Sequence, residues 1–183
     1  MAVNPQHLEL FAEAQRIAPK SMKVEYTDGT IIMQASPSAP HELNLTKIRA
    51  QFDRHVPQGA VPVGNIDLVS ANITKARNPD LTYLPEDALE TVSGKIPADL
   101  ALLAVEVVSP SNPENDWVGK LRDYPVMGVP LYLIVDPRQK TVTLFSRPDA
   151  TRYHRREDIA FGEQIPIPDP FGFDLDTSVL RPY

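Results

Sequence analysis

Apolar positions recur along the chain in two rhythms, and the rhythm separates helices from strands. Over 5–18, Leu10, Ala14 and Ile17 fall at helical spacing with Phe11 beside them. Asn4 suits a helix cap and Pro5 the first helical position. Runs of β type at 23–26 and 30–34 flank Thr27-Asp28-Gly29, and an Asp-Gly pair in that setting predicts a tight hairpin. From 41 to about 55, Leu45, Ile48 and Phe52 return at intervals of three and four, which predicts a second amphipathic helix. Lys47, Arg49 and Arg54 lie off its apolar stripe.

Further along, 60–63 and 65–69 have β character, as does 80–84 after Asn78-Pro79. Residues 100–108 are nearly all apolar, the pattern of a strand covered on both faces. The stretch from 113 to about 127 reads as a helix, with Asn112 as cap, Leu121 in its stripe, Pro125 placed to end or kink it and Gly128 as its stop. Strands at 131–135 and 141–145 are joined by 136–140, and the proline-rich tail at 165–183 is expected to pack along the surface. No repeat of roughly 20 to 50 residues occurs, so the pattern predicts one α+β domain over 1–183.

Composition changes this picture by exclusion. With 18 Lys plus Arg against 24 Asp plus Glu, the net charge is −6. That balance argues against coating nucleic acid by bulk electrostatics, but not against an enzyme that reaches it through a metal. The absence of cysteine removes disulfides, thiolate zinc sites and cysteine nucleophiles. No apolar run of ~18 residues is present, so no membrane span or signal peptide is read and a cytoplasmic location is expected. The 19 prolines against 8 glycines cluster where the chain should change direction, as at 35–40.

The informative exception to the apolar pattern is Glu106, flanked by Ala104, Val105, Val107 and Val108. A carboxylate in such a strand costs several kcal/mol if unpaired, so it needs a metal, a cation or a proton. Asp80, after Pro79 at the start of a short strand, is the second notable acid. Carboxylates at the ends of neighbouring strands can converge on one divalent ion, and magnesium prefers oxygen ligands. Asp116, Lys120 and Tyr124 follow at four-residue intervals, along one helix face. A lysine there can orient a water or stabilise charge on a phosphate. Each residue also has a plainer reading. Glu106 can be a structural acid paired with an arginine, Asp80 a turn residue, Asp116 and Lys120 a surface ion pair, and Tyr124 a core residue. Trp117 can stack on a base or simply pack. Glu25 fits a solvated strand face as well as the edge of a site.

Pro79-Asp80, then Glu106-Val107-Val108-Ser109-Pro110-Ser111, then Lys120, Tyr124 and Gly128-Val129-Pro130-Leu131-Tyr132 with Asp136-Pro137 resembles the Uma-two type of restriction endonucleases, a group of the PD-(D/E)XK nuclease superfamily. The resemblance runs from the Asp28-Gly29 hairpin to the segment at 171–180. It implies a restriction-endonuclease-like mixed sheet flanked by helices. It implies Asp80, Glu106 and the backbone carbonyl of Val107 as ligands of magnesium or manganese, with a water attacking a phosphodiester, DNA being the expected partner. Members that cut both strands often dimerise, so a homodimer is expected. A histidine often stands at the place of His41 and can face the metal, although a capping or core histidine fits equally. The chain departs from the superfamily pattern at Val108, where the motif has lysine; Lys120 is then the substitute. That departure, with the acidic balance, favours the rival reading of a catalytically inactive nuclease fold kept for binding or oligomerisation.

The charge is uneven. Residues 1–78 hold 8 Lys plus Arg and 7 Asp plus Glu, whereas 79–183 hold 10 and 17. The first part, through the second helix and up to Arg77, is therefore the expected side for nucleic acid.

Overall fold

The computed structural model describes residues 5–20, 22–34, 37–70, 74–91 and 95–183. The proposed cap Asn4 lies outside the described residues, as do Ala35 and Ser36. Helix α1 (Pro5–Ile17) buries Phe11 and Ala14, while Leu10 and Ile17 are 58% and 62% exposed. The expected stripe of Leu10, Ala14 and Ile17 is thus rotated. Helical spacing defines a face without choosing which neighbour centres it, and Phe11 wins because its ring packs on Tyr26, with centroids 5.7 Å apart. Strands β1 (Lys23–Thr27) and β2 (Thr30–Gln34) form the expected hairpin. Its turn residues Asp28 and Gly29 have φ of 45° and 88°, the left-handed pair that matches strand twist.

Helix α2 (Ala39–Phe52) begins earlier than the apolar spacing suggests, because Ser38 caps it and Pro40 sits in its first turn. Strands β3 (Ala60–Val63), β4 (Leu68–Val69), β5 (Lys75–Arg77) and β6 (Leu81–Pro85) follow, so the run at 65–69 forms only its last two positions as a strand. After α3 (Glu86–Thr91), β7 (Ile96–Pro97) and a 3-10 turn at Ala98–Leu100 comes β8 (Leu103–Val107), every residue of which is buried. The next helix is composite: a π-helical turn at Asn115–Lys120 runs into α4 (Leu121–Val126), which ends just past Pro125 and just ahead of Gly128. Strands β9 (Leu131–Asp136), β10 (Thr141–Pro148), β11 (Tyr153–Ala160), β12 (Gln164–Ile167) and β13 (Phe173–Asp176) complete the chain. The pattern at 153–160 is too polar to have announced β11.

Among the described residues the main sheet has the order β11-β10-β9-β8-β6-β3 and is mixed, with β8 and β9 parallel. A second sheet has the order β2-β1-β5-β4-β7, and β12 pairs with β13. Alternation along the central strands divides the molecule. Leu103, Val105, Val107, Leu133 and Val135 face Ile48 and Phe52 of α2, together with Ile165, Ile167, Phe171, Leu175 and Leu180. Ala104, Tyr132 and Ile134 face the other way, toward Tyr124 and Met127. Glu106 has the parity of Ala104, so the strand turns it toward α4. The tail does not lie on the surface as expected: Ile165, Ile167, Phe171, Leu175 and Leu180 are buried and complete the core, because prolines limit hydrogen bonding without preventing burial of the side chains between them.

Candidate active site

Antiparallel pairing of Leu81 with Val105 brings Asp80, one step before β6, to the level where β8 ends. There the ladder is continued by a side chain: the amide of Val107 donates to Asp80 Oδ2 at 2.9 Å. His41 Nε2 lies 2.9 Å from the same oxygen, and Lys23 Nζ lies 2.7 Å from Oδ1. Burial would raise the Asp80 carboxyl, but His41, Lys23 and Lys120 outweigh it and hold the group well below the ordinary carboxylate range. His41 is pushed the other way. Burial lowers its pKa, and the Asp80 hydrogen bond and charge more than compensate, favouring the protonated ring. Its Nδ1 is buried with no hydrogen-bond partner among the described residues.

Glu106 is enclosed on both oxygens. Tyr124 donates to Oε1 at 2.7 Å, and Lys120 Nζ stands 2.7 Å from Oε2. Lys120 also reaches Asp116 Oδ1 at 3.0 Å and Glu25 Oε1 at 3.5 Å. Burial and the nearby charges of Asp80 and Asp116 push the Glu106 carboxyl up. Burial alone would lower Lys120, but Asp116, Glu106, Glu25 and Asp80 drive it well above its ordinary value, so it is an ammonium. The surface reading of the Asp116–Lys120 pair does not hold, since both side chains are buried.

Glu25 is only 1% exposed, so the solvated-face reading fails for it too. Its Oε2 accepts from Arg77 at 2.9 Å and Asn115 at 3.0 Å, and its Oε1 accepts from the amide of Asn78 at 3.0 Å. Arg77 in turn binds Asp123 Oδ2 at 2.7 Å. This second buried network abuts the first through Lys120. Trp117 spends its indole N–H on Asp136 Oδ2 at 2.9 Å and does not line the cavity, which favours packing over base stacking.

The structure brings Asp80, Glu106, Val107 and Lys120 to one cavity of about 360 Å³, with His41, Asp116 and Lys23 also in its wall. Val108, two beyond Glu106 on the same strand face, is fully buried in apolar contacts, and Lys120 supplies the ammonium from the helix instead. Lys23 and Tyr183 are among the wall residues that sequence reasoning missed. Lys23 is one polar position in a hairpin strand and carries no motif. Tyr183 lies in the tail expected on the surface, yet its hydroxyl donates to the Val108 carbonyl at 3.0 Å.

Among the described residues no three His, Asp or Glu side chains converge closely enough to hold a metal by themselves. The donor set nevertheless fits a hard divalent ion. Two carboxylates from adjoining strands share the cavity, and an extended residue sends its carbonyl from the same strand edge as its amide, so Val107 presents an oxygen beside Asp80.

A family described as "Putative restriction endonuclease", Uma2, matches residues 8–179. No curated protein matches the chain. Among solved structures, the crystal structure of a "putative nuclease belonging to DUF820" from Anabaena variabilis ATCC 29413 superposes with a TM-score of 0.71, covering 92% of this chain and 95% of that one at 18% identity. At that identity the likeness establishes the fold alone: a mixed sheet flanked by helices. No described helix is long and apolar enough to cross a membrane.

Proposed function

The chain belongs to the Uma2 family, and from that premise we propose that it is a metal-dependent nuclease that hydrolyses phosphodiester bonds, with DNA as its substrate. The observation that carries this reading is the placement of the Asp80 and Glu106 carboxylates and the Lys120 ammonium in the wall of one cavity. Asp80, Glu106 and the Val107 carbonyl would hold magnesium or manganese. Bound there, the ion supplies Lewis-acid stabilisation of the phosphate and lowers the pKa of a coordinated water.

The chain's own residues do the rest. Val107, His41 and Lys23 fix the Asp80 carboxylate as an anion aimed at the cavity. Tyr124 orients Glu106. Lys120, protonated throughout, serves as a donor to the attacking water or to the charge that develops on the phosphate, not as a base that removes a proton. As water adds to phosphorus, giving up a proton to bulk solvent, and the bond to the departing sugar oxygen breaks, with that oxygen taking up a proton from solvent, this fixed ammonium needs no reorganisation. Cutting both strands of a duplex calls for two such sites, which a homodimer supplies.

The test is cleavage of plasmid DNA with magnesium or manganese by the parent, Asp80→Ala and Glu106→Ala. We expect the parent to cut and each variant to lose at least about 10²-fold in rate. Calorimetry should show manganese binding to the parent that Asp80→Ala loses. Equal rates in parent and variants would overturn the mechanism, and a parent inert toward every metal and nucleic acid would favour a fold kept for binding alone.

A further inference from the structure

Three hollows in the surface meet at Lys23. One is the cavity just described; the second is a groove of about 880 Å³, and the third a smaller hollow of about 170 Å³ beside Arg49. Pro37 also borders both the cavity and the groove, so the two adjoin. Among the described residues its walls carry Arg16, Lys20, Lys23 and Lys95 against one carboxylate, Asp67. Asp67 is already engaged by the amides of Gln15 at 2.6 Å and Asn78 at 3.0 Å. Lys95 is positioned by the Phe11 ring, with its ammonium 3.8 Å from the centroid. Arg16 pairs with Glu13, but both side chains stand mostly in water, where such a pair contributes little and exchanges readily. In a chain of net charge −6, this concentration of cations runs against the average.

We infer that this groove is the track for the sugar-phosphate backbone of the substrate strand as it leaves the active cavity. The inference rests on the nuclease reading above and extends it to where the strand lies. The groove is more than twice the volume of the cavity and adjoins it at Lys23 and Pro37, which suits a linear polyanion laid along both rather than a single phosphate. It also relocates the basic side expected from sequence. Arg77 and Lys75 are consumed by Glu25, Asp123 and Asp28, and Lys23 by Asp80, so the cations left for phosphates are Arg16 and Lys20, in and just beyond the last turn of α1, and Lys95.

The test is fluorescence anisotropy with a short labelled oligonucleotide, single-stranded and duplex, in metal-free buffer over a range of salt. The variants are Arg16→Ala/Lys20→Ala/Lys95→Ala and the single exposed Lys20→Glu. The control Arg155→Ala/Arg156→Ala removes charge from the distant strand β11. Each cation that meets a phosphate contributes about 0.7 to 0.9 to the slope of log affinity against log salt, so the triple variant should lose about two to three. Lys20→Glu should lose about one, and the control none. With metal added, the triple variant should raise KM several-fold with kcat held, as expected for binding that substrate and transition state share. Should the triple variant not fold, Lys20→Glu decides alone. A parent that binds and cuts, with groove variants keeping its slope and KM, would overturn the groove and leave the nuclease reading standing. An equal loss in the control would overturn it as well, by reducing the effect to net charge. A parent that neither binds nor cuts any nucleic acid would remove the nuclease reading and the groove with it.

Discussion

Asp123 has no exposed side-chain surface, and three cations crowd it: Arg77 at 2.7 Å, Lys75 at 2.9 Å and Arg122 at 3.0 Å. Burial pushes its carboxyl up, but the hydrogen bonds from Arg122, Lys75 and Thr27 and the charge of Arg77 prevail and bring it down to about 2. A carboxyl held below its unfolded value stabilises the fold above that value, and the contribution is lost as pH falls through the folded one. From 3.8 to about 2 this amounts to about 2 kcal/mol. Urea unfolding across pH should therefore show stability from this group that is complete above pH about 5, falls through the interval between the two values and is gone near pH 1. Asp123→Asn should remove that segment of the profile while costing about 3–5 kcal/mol at neutral pH, because Arg77 and Lys75 lose a buried partner. Superimposable profiles for parent and variant would contradict this. Lys120 allows a sharper separation of roles. Lys120→Met should lower the cleavage rate by about 10² to 10³-fold, the effect of deleting one fixed donor, while manganese binding persists in calorimetry. Loss of both would mean that Lys120 maintains the metal ligands rather than the phosphate.

Elements decide which of these residues a sequence can reveal. Glu106 is legible because a single acid interrupts an apolar strand, and desolvation demands a reason for it. Asp80 is legible only through Glu106, since its neighbour strand must be known before the two can meet. Glu25 is hidden for the opposite reason: in the hairpin strand Lys23–Thr27, polar positions are ordinary, and nothing local shows that β1 becomes an interior strand between β2 and β5. The helix carrying Lys120 is legible as a helix but not as a π-helical turn, which inserts Asn115 and Asp116 into the buried networks along with Lys120. Gly119 belongs to that turn. A Cβ there would stand 3.1 Å from both Arg77 Nη2 and Asn115 Oδ1. Neither atom can yield, because Arg77 is held by Glu25 and Asp123 and Asn115 by Arg77 and Glu25. Gly119→Ala should cost about 1–3 kcal/mol as overpacking and displace the adjacent Lys120, so thermal stability and cleavage should fall together. A variant with parental Tm and rate would show that the turn is soft.

Across the whole molecule, the main sheet keeps its two faces chemically apart. One carries the ionised networks under α4 beside an apolar cluster of its own; the other is apolar and is closed by α2 and the tail. The tail is joined to α2 by more than contact. Asn44 donates to the Arg181 carbonyl at 2.7 Å and accepts from its amide at 2.8 Å, and Gln51 exchanges two such bonds with Asp176 at 2.9 and 2.8 Å. Since α2 also carries His41, the tail helps to fix one wall of the candidate cavity from the far side of the sheet. The residue that binds these parts is Phe171, whose ring meets Phe52 edge-on at 5.1 Å and Tyr83 at 5.3 Å. Phe171→Ala removes an aromatic ring from a site flanked by two others that cannot collapse onto the gap. The expected cost is about 3–5 kcal/mol, a large part of the 5–15 kcal/mol that stabilises a typical domain. In urea this should appear as an earlier midpoint at unchanged slope. The fraction that remains folded should still bind manganese, because Asp80, Glu106 and Val107 are held by bonds that Phe171 does not touch. A cost below about 1 kcal/mol would restore the view that proline-rich composition suggests, of a tail laid over a core already complete without it.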